Sequence, residues 1–115
     1  MSYTYYHNPR CSKSRQGLAL LEERELDFEV VLYLQNPPTV ETLLGLFSRL
    51  EKEPLEVIRT KESCFKELGL DHKMLSDEEW AGEIAKNPVL LERPILDNGQ
   101  KAAIGRPPED LLALL

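Results

Sequence analysis

The chain has 115 residues, of which 42% are hydrophobic, and this fits one compact domain and excludes a disordered chain. It carries 14 basic and 20 acidic side chains, and the net charge of -6 argues against a nucleic-acid partner bound through phosphates. The longest uncharged stretch, residues 30–40, contains two prolines and predicts no membrane span, so we expect a cytoplasmic protein.

The first third of the chain predicts a strand, a helix and a second strand. Residues 3–6 are β-formers, residues 12–23 have helical spacing of leucines, and residues 28–34 form a nearly continuous apolar run. That run indicates a strand buried on both faces, which is typical of parallel sheets. The three elements together predict a βαβ unit with parallel strands.

The middle third predicts three helices. Thr39 can cap the first, and the second covers residues 61–68 and ends at Gly69. Ser76 and Glu79 have the spacing of a capping box that starts the third helix.

The last third predicts a hairpin and a final helix at residues 109–115. Asn98-Gly99 favours a type I′ turn between strands at residues 95–97 and 101–104. The resulting fold class is α/β, with a four-stranded mixed sheet in the order β-α-β, a helical segment, then β-β-α.

One candidate nucleophile, Cys11, lies where the first strand gives way to the first helix. The free N–H groups and positive end of a helix stabilise a thiolate, so the pattern predicts a lowered thiol pKa. Arg10, Lys13 and Arg15 add positive charge nearby, and His7 could also support the anion. The alternative is a small buried cysteine in a basic loop.

Other cysteine chemistries fit this segment poorly. A C-x-x-C pair would need a cysteine at position 14, which is Ser14, and a tyrosine-phosphatase loop would need a longer spacing before its arginine. The chain's other cysteine, Cys64, is expected to pack as a hydrophobe, the alternative being a resolving thiol. The two cysteines and two histidines lack the spacing of a structural zinc site, so we expect no metal.

Two arginines flank the predicted hairpin. Arg93 lies just before its first strand and Arg106 just after its second. Both therefore lie at the same end of the sheet, and their side chains can converge on an oxyanion. Arg59 is a further candidate.

Five segments, in the same order, resemble the glutaredoxin-dependent arsenate reductases of the ArsC family. They are Tyr6-His7-Asn8-Pro9-Arg10-Cys11, Tyr33-Leu34-Gln35-Asn36-Pro37-Pro38, Arg59-Thr60-Lys61-Glu62, Leu91-Glu92-Arg93-Pro94-Ile95 and Gly105-Arg106-Pro107-Pro108-Glu109. The resemblance implies one thioredoxin-like domain over residues 1–115, with a helical insertion at about residues 39–90.

The resemblance also implies roles for the site residues. Cys11 would be the nucleophile, His7 would help to activate its thiol, and three arginines would bind the oxyanion, namely Arg59, Arg93 and Arg106. We expect support of the loop from Ser14, Arg15 and Pro94, and the resemblance implies a cis peptide bond before Pro94.

The implied reaction is the reduction of arsenate to arsenite, with glutathione as co-substrate and glutaredoxin as the partner that resets Cys11. No bound cofactor and no membrane partner are expected, and the chain is expected to be a monomer. Two alternatives stay open: a thiol oxidoreductase acting on another substrate, such as a glutathionylated thiol, and a regulator that binds the transcription machinery. The presence of all three arginine motifs favours arsenate.

Overall fold

The computed structural model describes residues 2–115, which contain one four-stranded sheet and four α-helices. The strands are β1 (Tyr3–Tyr6), β2 (Phe28–Val31), β3 (Ile95–Asp97) and β4 (Ala102–Ile104), and the helices are α1 (Ser12–Glu23), α2 (Val40–Leu50), α3 (Ser63–Glu67) and α4 (Asp77–Lys86). Short 3₁₀ segments are Pro54–Glu56, Leu70–His72, Pro88–Leu90 and Pro108–Leu114.

The chain divides into two compact units, and the first contains the whole sheet. This unit joins the residues up to Asn36 with Arg93–Leu115, and the second is Pro37–Glu92. Strand order is β2-β1-β3-β4; β1 runs parallel to β2 and antiparallel to β3. The predicted βαβ unit is therefore confirmed.

The core of the sheet unit is a cluster of four fully buried side chains: Tyr5, Leu21, Leu96 and Leu111. They come from β1, α1, β3 and the last 3₁₀ segment, so both ends of the chain build one core.

Two glycines allow close packing around Pro94 in this unit. A Cβ at Gly105 would lie 2.8 Å from the Pro94 ring and 2.9 Å from Leu111, and a Cβ at Gly17 would lie 3.4 Å from Pro94. Helix α1 and the end of β4 can therefore both approach Pro94, the residue that leads into β3.

The predicted burial of the second strand is wrong. β2 lies at the edge of the sheet and spans only four residues, and Val30 is 41% exposed. The chain turns directly after Val31, because the N–H groups of Gln35 and Asn36 both donate to Leu32 O. Its apolar run continues into that turn, where Tyr33 is fully buried.

The predicted type I′ turn is also wrong, although the hairpin itself is confirmed. Asp97 pairs with Ala102 and the Asn98 N–H donates to Lys101 O, so the tip residues are Gly99 and Gln100. Of these turn residues only Gly99 has a positive φ, +89°. The Asn98 side chain explains the shift, because its Oδ1 accepts from both Gln100 N and Lys101 N.

The second unit contains the three predicted helices, with both predicted N-terminal caps in place. Thr39 Oγ1 accepts from Thr42 N at the start of α2, and Ser76 and Glu79 form a reciprocal capping box at α4. Helix α3 begins at Ser63, two residues later than predicted, and Gly69 follows its end with φ +69°.

The final segment is a 3₁₀ helix rather than an α-helix. Its first hydrogen bond runs from Asp110 N to Pro107 O, a spacing of three residues. Among residues 2–115, no helix is long and apolar enough to cross a membrane.

Candidate active site

Cys11 occupies the N-cap position of α1 in an extended conformation, as the strand-to-helix junction predicts. Asn8 shapes the loop before it: Asn8 O accepts from Cys11 N at 3.0 Å, and Asn8 Oδ1 accepts from Arg10 N at 3.0 Å. This local side-chain bond is the turn chemistry expected of asparagine. The half-buried thiol is thereby held at the open end of the helix.

The surroundings of the sulfur favour its thiolate form. Burial raises the pKa of the Cys11 thiol, but the Ser14 N–H, the charge and hydrogen bond of Arg93, and the Lys13 N–H outweigh that effect. The pKa of Cys11 consequently lies below its ordinary value.

The cation that acts on the Cys11 thiol is not one of the three that the neighbouring sequence predicts. The positive charge that lowers the pKa of Cys11 comes from Arg93, and Lys13 contributes through its backbone N–H. Arg10 is exposed, and Arg15 donates from Nη1 to Pro9 O at 2.8 Å. Neighbours in sequence therefore shape the loop, whereas a residue distant in sequence supplies the charge.

The structure brings both hairpin arginines to the thiol, as their positions predict. Arg106 Nη2 lies 3.9 Å from Cys11 Sγ, and its Nε donates to Arg93 O at 2.8 Å. The Arg93–Pro94 peptide bond is cis, as predicted, and the Arg106–Pro107 bond, for which no prediction was made, is cis as well.

Ser14 is fully buried and connects several site residues. Its Oγ accepts from Asn8 N at 3.0 Å and lies 2.7 Å from His7 Nδ1, and its carbonyl oxygen accepts from the Tyr5 hydroxyl at 2.6 Å. His7 thus contacts the side chain of Ser14, a residue whose backbone N–H favours the Cys11 thiolate. Burial and the charge of Arg15 lower the pKa of His7, which favours a neutral ring at neutral pH.

Arg59 lies in the second unit, directly after Ile58, which pairs with Leu91 in an isolated antiparallel bridge. Its guanidinium contacts two carboxylates, Glu62 at 2.9 Å and Glu92 at 3.3 Å. Neither glutamate is among the residues that the sequence predicts for the site. The three-residue spacing from Arg59 to Glu62 was a visible signal, whereas nothing local links Arg59 to Glu92.

Cys64 lies half-buried in α3, and its surroundings differ from those of Cys11. Burial raises the pKa of its thiol, and the charges of Glu62 and Glu67 raise it further. In the part of the chain that the structure describes, no group of three or more His, Cys, Asp or Glu side chains is placed to hold a metal ion.

Comparisons with known proteins agree on one family. The profile of the ArsC family matches residues 6–114. An arsenate reductase of Neisseria meningitidis is 47% identical over 111 residues, which is 96% of this chain and 95% of that protein. An arsenate reductase of Haemophilus influenzae is 44% identical over 116 residues, covering 100% of both. The solved structure of an arsenate reductase from Vibrio cholerae superposes with a TM-score of 0.94 and 44% identity, covering 100% of this chain and 98% of that one.

Proposed function

The chain belongs to the ArsC family, and we propose that it is an arsenate reductase in which Cys11 is the nucleophile. Its fold is the thioredoxin-like fold of that family. The observation that carries the proposal is a half-buried thiol of lowered pKa, contacted by both Arg93 and Arg106.

In the first step, the Cys11 thiolate attacks arsenic, a sulfur–arsenic bond forms, and one arsenate oxygen leaves as water after protonation. Negative charge on the remaining oxygens is stabilised by the guanidinium groups of Arg93 and Arg106. The Lys13 and Ser14 N–H groups at the start of α1 favour the same anionic centre.

In the second step, a glutathione thiol attacks the Cys11–arsenic adduct and is the second of the two thiols to be oxidised. Arsenate, the Cys11 thiol and glutathione together give arsenite, water and a Cys11–glutathione disulfide, so As(V) gains the two electrons that the two thiols lose. Glutaredoxin then takes up the glutathionyl group and returns Cys11 to its thiol. A reducing compartment such as the cytoplasm would supply both reductants.

Arg59 is proposed as the third arginine of the oxyanion site, on the basis of its segment Arg59-Thr60-Lys61-Glu62. Its two carboxylate partners fix the guanidinium plane within the second unit.

The test is a coupled assay in which NADPH oxidation is followed with arsenate, glutathione and glutaredoxin. We expect turnover with the wild-type chain, none with Cys11→Ser, and near wild-type turnover with Cys64→Ser, the matched control. If the reduced wild-type chain, with Cys11 freely titratable, shows no turnover, arsenate is not the substrate. A reductase acting on another substrate would then replace the proposal.

A further inference from the structure

The Tyr5 hydroxyl is inserted beside the first turns of α1. It donates to Ser14 O at 2.6 Å, and the Leu18 N–H points at the same hydroxyl oxygen. Ser14 and Leu18 stand four residues apart, the spacing of one helical hydrogen bond. The hydroxyl therefore lies against both the acceptor and the donor of one turn of α1, which continues as an unbroken helix.

Gly17 provides the space for this insertion. A Cβ at position 17 would overlap the Tyr5 hydroxyl oxygen and would lie 2.9 Å from Leu111 Cδ1. Tyr5 itself has no exposed surface, so this contact is shielded from solvent. Tyr5 and Gly17 fit together as a pair: the glycine leaves the volume that the hydroxyl fills.

The turn that Tyr5 contacts is the one that faces the nucleophile. Ser14 receives the Tyr5 hydrogen bond on its carbonyl, and it lies in the first turn of the helix that Cys11 caps, where its N–H favours the thiolate form of Cys11. Burial raises the pKa of Tyr5, and the nearby Cys11 charge raises it further, so the hydroxyl keeps its proton when the thiolate forms.

We propose that Tyr5 is a positioning residue for the nucleophile: with Gly17, it fixes the first turn of α1, and thereby the N–H groups of that turn, next to the Cys11 thiol. The inference rests on the proposed function only in assigning Cys11 as the nucleophile. Tyr5 touches no reacting atom and acts through Ser14.

Replacing Tyr5 by phenylalanine isolates the hydroxyl. The ring of Tyr5 stacks on His7 with centroids 5.6 Å apart and meets Phe28 edge-on at 6.1 Å, and a phenylalanine ring keeps both contacts. The substitution also leaves unchanged Arg93 and Arg106, which contact the thiol, and the other charged or titratable side chains of the loop and first turn, which are His7, Arg10, Lys13 and Arg15.

The experiment measures the rate of Cys11 alkylation by iodoacetamide against pH, in a Cys64→Ser background so that only one thiol reacts. For Tyr5→Phe we expect the midpoint of the profile to rise by about 0.7 pH unit, so that the rate below the midpoint falls about five-fold, the factor that corresponds to the net contribution of one hydrogen bond. The rate at a pH where the thiol is fully ionised should stay unchanged. Because no arsenate is present, this result is independent of the reductase activity.

The matched control is Tyr6→Phe, which removes a hydroxyl from the next residue of the same strand, on the opposite face of the sheet. It should leave the alkylation profile as in the wild-type chain. A purely structural role for Tyr5 would lower the melting temperature without moving the alkylation profile, and that outcome would overturn the inference.

A second variant, Gly17→Ala, tests the pairing. In the chain that retains Tyr5, it should slow alkylation at pH 7, because the new Cβ displaces the hydroxyl. In the Tyr5→Phe background, the same substitution should slow alkylation much less. Equal slowing in both backgrounds would show that Gly17 acts without Tyr5 and would overturn the pairing.

Discussion

Arg93 and Arg106 contact the same thiol but are held in different ways. Arg93 is half-buried, at the entrance of β3, and its charge lowers the pKa of Cys11. Arg106 is exposed, and its Nε donates to Arg93 O, while its Nη2 lies 3.9 Å from the sulfur. The backbone of one arginine thus orients the side chain of the other.

We therefore predict that the two arginines act together on the developing charge. Arg93→Ala or Arg106→Ala should each slow the single-turnover attack on arsenate by a factor of about 10²–10³, the usual cost of removing one oxyanion donor. Lysine at either position should rescue only part of the rate, because a point charge cannot make a forked contact. Rapid-quench measurement of the first turnover checks this.

Arg10→Ala is the control, because Arg10 lies next to Cys11 in sequence but is exposed. It should change the rate less than either hairpin variant does. Wild-type rates in both single arginine variants would leave the hairpin with a structural role only.

His7 makes a pH-dependent contribution to stability. Burial first, and then the charge of Arg15, lower the pKa of His7 in the folded chain below its ordinary value of 6.5. Between these two pKa values the unfolded chain binds more protons than the folded one, so stability rises with pH there. The contribution of a neutral His7 is present above pH 6.5 and is lost as the pH falls toward the folded pKa.

Urea unfolding between pH 5 and pH 8 checks this behaviour. The free energy of unfolding should fall less steeply on acidification in His7→Gln than in the wild-type chain. His72→Gln, at a histidine whose side chain is 87% exposed, should follow the wild-type slope. Parallel curves for all three proteins would contradict the prediction.

Among the helices and strands, features set by local chemistry were predicted well. Thr39, Ser76 and Glu79 were predicted as caps because a side chain and a backbone N–H three residues away need no other part of the fold. The exposure of β2 could not be predicted in this way. A strand's place at the centre or the edge of a sheet depends on which strands arrive later, here β3 and β4.

The candidate site also combines residues that local sequence predicts with contacts that it does not predict. Cys11 and the two hairpin arginines were predicted from a strand-to-helix junction and from the geometry of a hairpin. His7 and Arg59 were candidates from the sequence, and the ArsC resemblance supplied their roles. The contacts of Tyr5 with Ser14, and of Arg59 with Glu92, join distant parts of the chain. Periodicity and spacing carry no information about such pairs.

The capping box at the start of α4 supports a prediction about the stability of the chain. Ser76 Oγ accepts from Glu79 N at 3.2 Å, and Glu79 Oε1 accepts from Ser76 N at 3.0 Å. Ser76→Ala should cost about 0.5–2 kcal/mol of stability, because an N–H of the first turn loses its partner. Ser48→Ala, at an exposed position inside α2, should not destabilise the chain, and chemical denaturation compares the two.

Across the chain as a whole, the sheet unit depends on residues from both ends. Leu111, in the last 3₁₀ segment, is fully buried against Tyr5, Leu21 and Leu96. Leu111→Ala should cost about 2–5 kcal/mol of stability, through lost burial and the cavity left behind. Leu115→Ala, at a side chain that is 48% exposed, should cost far less. Similar denaturation midpoints for the two variants would show that Leu111 does not hold the unit together.

The serine at position 14 also has a consequence for how the chain withstands oxidants. A low-pKa, half-buried thiolate is the form of cysteine that peroxide converts most readily to a sulfenic acid. In a C-x-x-C site the second cysteine would capture that sulfenic acid as a disulfide before it reached the irreversible sulfinic state. Here the position is filled by a hydroxyl that holds His7 and Asn8. The arrangement that keeps Cys11 reactive thus leaves its repair to thiols from solution, and a purified sample without them should lose its nucleophile on storage in air.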